Sequence, residues 1–345
     1  MEQRLTALWY RPHGGAPLLQ PLAWVYGSLV RARRGAYARG WLKSERVGKP
    51  VVVIGNVTVG GTGKTPLTIW LAERLGEAGL GVGVVSRGYG RARSERAAPH
   101  FVECDSPWQS VGDEPLLIRR RTGCPTVVCA NRAAGARALA ARGVDVIIAD
   151  DGLQHLGLAR DCEIALLDGA RGLGNGRLLP AGPLREPATR LGEVDLVVVN
   201  GTSAPAVTLP VLRGVPQLQM RLVASGAYRL DGHEDARALE RFAGERVHAV
   251  AGIGHPGRFF RDLERLGLEV IAHPFPDHHP FAAGELDFGD DRPVLMTEKD
   301  AVRCAAFASE RMWYVPVRAL LDPADANLLL LRVRARIDAV AASAR

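Results

Sequence analysis

At 345 residues, with 47% hydrophobic and 23% charged residues, the chain is long enough for one large or two modest domains. Its 44 Lys and Arg against 37 Asp and Glu leave a formal charge of +7, which favours an acidic partner: a phosphorylated substrate, an anionic lipid or nucleic acid. Cys104, Cys124, Cys129, Cys162 and Cys304 are scattered without a CxxC pair, which argues against a zinc site or a disulfide framework and for a reducing cytoplasm. No signal peptide is expected, and no apolar run approaches the ~18 residues of a spanning helix.

The first segment, residues 1–48, sets Trp9, Tyr10, Trp24, Tyr26, Tyr37 and Trp41 among Arg11, Arg31, Arg33, Arg34, Arg39, Lys43 and Arg46. A helix over about residues 21–44 would carry aromatic and aliphatic side chains beside a basic face, as in a segment lying on an anionic membrane surface. The plainer alternative is a helix pair packed on the core, its basic face in water.

Residues 50–80 then read as a strand, a glycine-rich loop and a helix. Val51, Val52, Val53 and Ile54 make a short β-branched run suited to a buried parallel strand. Thr58, Val59, Gly60, Gly61, Thr62 and Gly63 form a loop whose amides can face an anion. Lys64 and Thr65 open the helix, and Leu67, Trp70, Leu71 and Leu75 repeat at helical spacing. This is the arrangement of a phosphate-binding loop in a nucleotide site: Lys64 for the β/γ charge, the Thr65 hydroxyl for Mg²⁺. Thr58 stands where the usual pattern begins with Gly.

A second strand over 82–85 leads to Arg87, Gly88, Tyr89 and Gly90, then a basic run over 91–96 that reads as a loop. Asp113 and Glu114 sit at a loop-to-helix junction, where a carboxylate also serves as a cap. Strands over 126–130 and 144–149 flank an alanine-rich helix. The second of them ends in Asp150 and Asp151, an acidic pair of the kind that organises Mg²⁺ in a nucleotide site. Two more strands, 162–168 and 194–200, enclose a long loop whose reactive candidates are Arg177, Arg185 and Glu186. The alternation gives an α/β fold with a doubly wound, mostly parallel sheet over 49–204.

A linker over 205–230 carries the alternating residues 218–230, which read as a two-stranded ribbon turning near Ser225 and Gly226. A smaller α/β unit follows over 231–322, and a helix over 323–345 packs back. Gly252, Gly254 and Gly257 match a dinucleotide fingerprint, yet Pro256 interrupts it and no acid ends the next strand, so a tight strand–helix turn is the better reading. Asp277, His278 and His279 lie on a proline-flanked loop, where a His beside a carboxylate is a proton-transfer group. Thr297, Glu298, Lys299 and Asp300 read as a helix cap.

In order, GNVTVGGTGKTP, SRGYGR, VGDEP, ADDGLQH, LLPAGPLREP, AGIGHPGRFF, FPDHHPF and TEKDAVRC resemble the tetraacyldisaccharide 4′-kinase family of lipid A synthesis over nearly the whole chain. The resemblance implies two α/β/α domains joined by a β-ribbon. It also implies transfer of the ATP γ-phosphate to the 4′-hydroxyl of tetraacyldisaccharide 1-phosphate at the cytoplasmic face of the inner membrane. By position it assigns Asp113 and His278 to hydroxyl activation, with His279 leaving that partner open. Lys64 and Thr65 fall to ATP and Mg²⁺, Asp150, Asp151 and Glu186 to the metal, and Thr58 becomes the family's own form. Arg87 or Arg185 would neutralise the moving phosphoryl group. The expected partners are the glycolipid and the anionic membrane, not nucleic acid, with the chain a monomer whose domain closure gates catalysis. The rival reading is a P-loop switch ATPase or GTPase acting on a protein. Against it, strand 194–200 ends in NGTS rather than NKxD, and Val59 stands where a signature lysine would.

Overall fold

The computed structural model describes residues 8–10, 17–88, 98–202, 212, 214–224, 226–232 and 235–343. Arg11, Tyr89, Gly90, the basic run 91–96, much of the linker's start and Ser225 lie outside the described residues.

Helix α1 (Gln20–Ala38) leads to strand β1 (Val51–Asn56), helix α2 (Lys64–Glu77), and strands β2 (Val82–Ser86) and β3 (His100–Val102). The one-turn α3 (Trp108–Val111), helix α4 (Asp113–Thr122), strand β4 (Thr126–Val128) and helix α5 (Arg132–Ala141) follow. Strands β5 (Val146–Asp150), β6 (Cys162–Asp168), β7 (Leu196–Asn200) and β8 (Gln217–Ala224) complete this half. The other half holds β9 (Gly226–Arg229), β10 (Ala236–Ala238), β11 (Arg246–Ala251), α6 (Pro256–Arg265), β12 (Glu269–Pro274), β13 (Val294–Thr297), α7 (Glu298–Cys304) and β14 (Met312–Val315). Strand β15 (Val317–Leu321) and helix α8 (Pro323–Ser343) come last.

The described residues form a nine-stranded sheet in the order β15-β8-β7-β6-β1-β5-β2-β4-β3. From β4 to β8 every pairing is parallel, while β3 and β15 are antiparallel edges. Each of β1, β2, β5 and β7 is buried along its whole length, which is why these strands are near-continuous apolar runs. One face packs Val52, Ile54 and Ile148 against Leu67, Leu71 and Leu75 of α2. The other packs Val51, Val53 and Ile147 against Ala136 and Leu139 of α5. Helix α8 does pack back: Leu329, Val333 and Ile337, four residues apart, join the α2 side of the core.

A second sheet runs β10-β9-β14-β13-β11-β12, parallel in its centre. The expected ribbon over 218–230 is corrected here. Strand β8 pairs with β7 and β15, whereas β9 pairs with β14 and β10, so the chain changes sheets at residues 224–226 instead of turning back on itself. Alternation marks a half-buried strand and says nothing of its partner. The antiparallel β8–β15 pair, made from strands far apart in sequence, is the connection between the halves.

Candidate active site

The carboxyl end of β1 feeds the glycine-rich loop, and α2 begins at Lys64 with Gly63 as its N-cap at φ 97°. No side chain caps that helix, so its first N–H groups face the loop's concavity. A β-carbon on Gly63 would lie 2.7 Å from Asn200 Nδ2, so only glycine fits. The loop is braced on several sides. Val59 N donates to Pro183 O at 2.9 Å, Arg185 N to Val57 O at 2.7 Å, and Asn200 Nδ2 to Thr62 O at 3.0 Å. Asn200, at the end of β7, is thus spent on the loop's backbone. Thr62 Oγ1 is buried there without a hydrogen-bond partner among the described residues.

Beside the loop stand the two acids that end β5. Asp150 is buried, accepting from Thr68 Oγ1 at 3.1 Å. Burial, followed by the charges of Glu114 and Asp151, pushes its carboxyl above the usual range. Asp151 is only half-buried; its partial burial opposes ionisation, but Lys64 at 3.5 Å and Arg185 at 3.1 Å outweigh this and draw its carboxyl down to about 2. The two acids therefore differ in state: among the described residues no ion pair holds Asp150, while two cations hold Asp151.

Across the cleft, His278 Nδ1 lies 3.0 Å from Asp113 Oδ2. Asp113 is the first residue of α4, in the first half of the chain, while His278 stands on the loop after β12, in the second. Burial disfavours the Asp113 charge, yet Lys299, His278 and Arg303 hold its carboxyl well below the usual carboxylate range. For His278 burial disfavours the imidazolium, but the Asp113 hydrogen bond prevails and lifts it above its ordinary value. Among the described residues the non-glycine positions with positive φ are Asp151 at 48° and His278 at 60°. Such strain, about 1–3 kcal/mol per residue, concentrates at functional sites.

Gly254 brings the two halves together. A β-carbon there would lie 2.9 Å from Gly61 N and 3.5 Å from Asp277 Oδ2, so the β11–α6 turn rests on the phosphate loop and the Asp277–His278 loop lies over it. The turn reading of Gly252, Gly254 and Gly257 thus acquires a reason for the middle glycine.

The chain matches the family described as tetraacyldisaccharide-1-P 4′-kinase over residues 15–334. It is 54% identical to the tetraacyldisaccharide 4′-kinase of Alkalilimnicola ehrlichii, across 94% of this chain and 95% of that one. It is 51% identical to the enzyme of the same name from Xanthomonas campestris pv. campestris, across 93% of each. This chain belongs to the tetraacyldisaccharide-1-P 4′-kinase family. Its fold is similar to that of LpxK from Aquifex aeolicus, solved in complex with ATP, with a TM-score of 0.76 and 28% identity over 93% of this chain and 98% of that one.

Of the residues expected from the sequence, Lys64, Asp150, Asp151 and Arg185 stand together around the loop, and Asp113 meets His278. Of the two adjacent histidines, His278 faces Asp113, while His279 Nε2 lies 3.0 Å from Glu285. Arg87 lies exposed at the end of β2. Glu186, expected among the metal residues, is engaged by protein groups. Its Oε1 accepts from Gln154 at 2.8 Å and its Oε2 from Arg34 of α1 at 3.1 Å, with Arg190 at 3.6 Å. A buried carboxylate with both oxygens engaged ties the first helix to the kinase half of this family member.

Two cations were overlooked. Arg303, with a fully buried side chain, reaches Asp113 at 3.3 Å, Asp300 at 2.8 Å and the carbonyls of Gly252 and His279. Lys299 sits among Glu114 at 3.0 Å, Asp277 at 3.2 Å and His278 Nε2 at 3.3 Å. Thr297 does cap α7 as expected, accepting from Asp300 N. The available signal was the charge density of so short a helix, with Glu298, Lys299, Asp300 and Arg303 within Glu298–Cys304.

Proposed function

We propose that this chain transfers the γ-phosphate of ATP to the 4′-hydroxyl of tetraacyldisaccharide 1-phosphate, forming lipid IVA. The observation that carries the reading is the Asp113–His278 pair, assembled from both halves of the chain over a phosphate-binding loop.

A secondary sugar hydroxyl is a weak nucleophile, so the site needs a positioned base. Asp113 accepts the Nδ1–H of His278 and fixes the ring so that the Nε2 lone pair can take the hydroxyl proton once the sugar replaces Lys299 there. As the sugar oxygen bonds to the γ-phosphorus, the bond to the β–γ bridging oxygen breaks and the proton passes to Nε2. Such a base contributes roughly 10²–10⁴-fold. Lys64 and the amides of residues 58–65 offset the charge of the phosphates. Arg185, held on Asp151, is a further cation near the transferred group.

Thr65 and Asp150 are the residues suited to Mg²⁺, with Asp151 next in the chain. The hard oxygen donors fit, and a cation beside Asp150 would restore the charge that burial disfavours. When bound, the ion neutralises charge on the phosphate oxygens.

Helix α1 supports a peripheral site on the cytoplasmic face of the inner membrane. Leu22, Val25 and Leu29 are exposed at helical spacing, with Leu18, Trp24, Trp41 and Leu42 exposed beside them. The opposite side docks by Tyr26 Oη on Arg185 O at 2.9 Å and by Arg34 on Glu186. No helix among the described residues is long and apolar enough to cross a membrane. An acylated acceptor held at that surface would present its sugar to the adjacent site.

The test is transfer from ATP to tetraacyldisaccharide 1-phosphate in detergent micelles, with product mass read for wild type, Lys64→Ala and His278→Ala. A new 4′-monophosphate from wild type and none from Lys64→Ala is expected. ATP consumption without phosphorylated lipid would overturn the reading.

A further inference from the structure

The helix start at Glu298, Lys299 and Asp300 is more than a cap. The Lys299 ammonium lies 3.3 Å from His278 Nε2. An ammonium has three donors and no acceptor, so this contact requires a lone pair on Nε2. The ring proton must then sit on Nδ1, where Asp113 Oδ2 receives it at 3.0 Å. Lys299 is itself fixed from both halves of the chain, by Glu114 Oε1 at 3.0 Å and by Asp277 Oδ1 at 3.2 Å. Its side chain is 16% exposed.

We propose that Lys299 is a positioning residue for the Asp113–His278 pair: docked on His278 Nε2, its ammonium holds the imidazole neutral and in the Nδ1–H tautomer until the sugar hydroxyl takes its place. The inference rests on His278 being the base.

The charged groups facing His278 show why such a residue is needed. Helix α4 offers Asp113 and Glu114, the histidine's own loop Asp277, and helix α7 Lys299 and Arg303. Three carboxylates face two cations. Without Lys299 the balance would favour a protonated imidazole, which cannot accept a proton. The electrostatics agree in direction: burial and Lys299 lower the His278 pKa, while Asp113 and Asp277 raise it. Burial opposes the Lys299 charge, but Glu114, Asp113 and Asp277 prevail and hold its pKa above the ordinary lysine value, so it stays an ammonium.

A purely structural lysine would alter stability and leave the histidine's titration alone. The test therefore reads the titration. In ¹⁵N NMR of the wild-type protein, the unprotonated nitrogen of His278 at neutral pH is expected to be Nε2. In Lys299→Met the His278 pKa is expected to rise by about one unit, moving the acid limb of kcat/KM for the lipid upward by the same amount. On the acid side of the wild-type limb this is roughly a tenfold loss, recovered at pH well above the variant's own limb, with the KM for ATP unchanged. Lys299→Arg keeps the charge and should keep the limb near its wild-type position. An Nε2–H tautomer in wild type, or an unmoved limb in a folded Lys299→Met, would overturn the inference. The tautomer measurement needs no turnover and no variant. Normal turnover by His278→Ala would sink the base assignment instead, so the two failures are distinguishable.

Discussion

At the scale of single residues, the site works by giving like groups unlike neighbours. Asp150 and Asp151 are adjacent, yet one is pushed up by burial and the other drawn down by Lys64 and Arg185. His278 and His279 are adjacent, yet one faces Asp113 and the other Glu285. The sign of the pH dependence follows. A base must be unprotonated, and the His278 pKa lies above its ordinary value of 6.5, so activity is lost as pH falls through that raised value. The acid limb of kcat/KM should therefore lie above pH 6.5. Asp113→Asn removes the carboxylate that raises it and holds the tautomer. Its kcat should fall roughly 10²–10⁴-fold with little change in the KM for ATP. A limb well below 6.5, or a kcat untouched by Asp113→Asn, would contradict the assignment.

These residues differ in how legible they are in a chain of letters. Lys64 and Thr65 announce themselves because strand, glycine loop and helix are contiguous. Asp113 and His278 are 165 residues apart, and neither spacing nor periodicity joins them; the family resemblance did. Lys299 was read as part of a cap and Arg303 was given no role, because Glu114 and Asp113, which they meet, lie on another helix in the other half of the chain. Glu186 was placed with the metal ligands because the acid was visible and Arg34, which claims it, was not.

At the scale of elements, the parallel strands were legible because burial on both faces leaves an unbroken apolar run. The edge strands β3 and β15 were not, since they are short or half-exposed. The ribbon was misread for a related reason: the alternation of β8 runs on in the sequence into β9, but the partners of each strand are chosen by the sheet it enters. The β11–α6 turn carries the element-scale prediction. Gly254→Val puts carbon against the Gly61 amide, within a contact that backbone cannot yield cheaply. Turnover should drop at least tenfold, while the thermal midpoint changes little because the turn sits at a surface between halves and not in either core. Full turnover by this variant would show that the contact is dispensable.

At the scale of the whole molecule, one half supplies the nucleotide loop and acids, and the other supplies the histidine. Ion pairs Arg121–Glu298, Glu114–Lys299 and Asp113–Arg303 run between α4 and α7, so both halves must meet for the site to exist. Helix α1 adds a third surface, apolar outward and tied inward to Glu186. Replacing Leu22 and Leu29 together by Glu should cut binding to anionic liposomes by tenfold or more and leave ATP affinity intact. Equal liposome binding by the double variant would remove α1 from the account.

The central claim is that His278, delivered from the second half, takes the hydroxyl proton. Its most direct measurement is the single-turnover rate of phosphate transfer to tetraacyldisaccharide 1-phosphate at saturating ATP, for wild type beside His278→Ala. The account predicts a rate lower by roughly 10²–10⁴-fold with ATP binding retained. A His278→Ala protein that phosphorylates the lipid at the wild-type rate would contradict it.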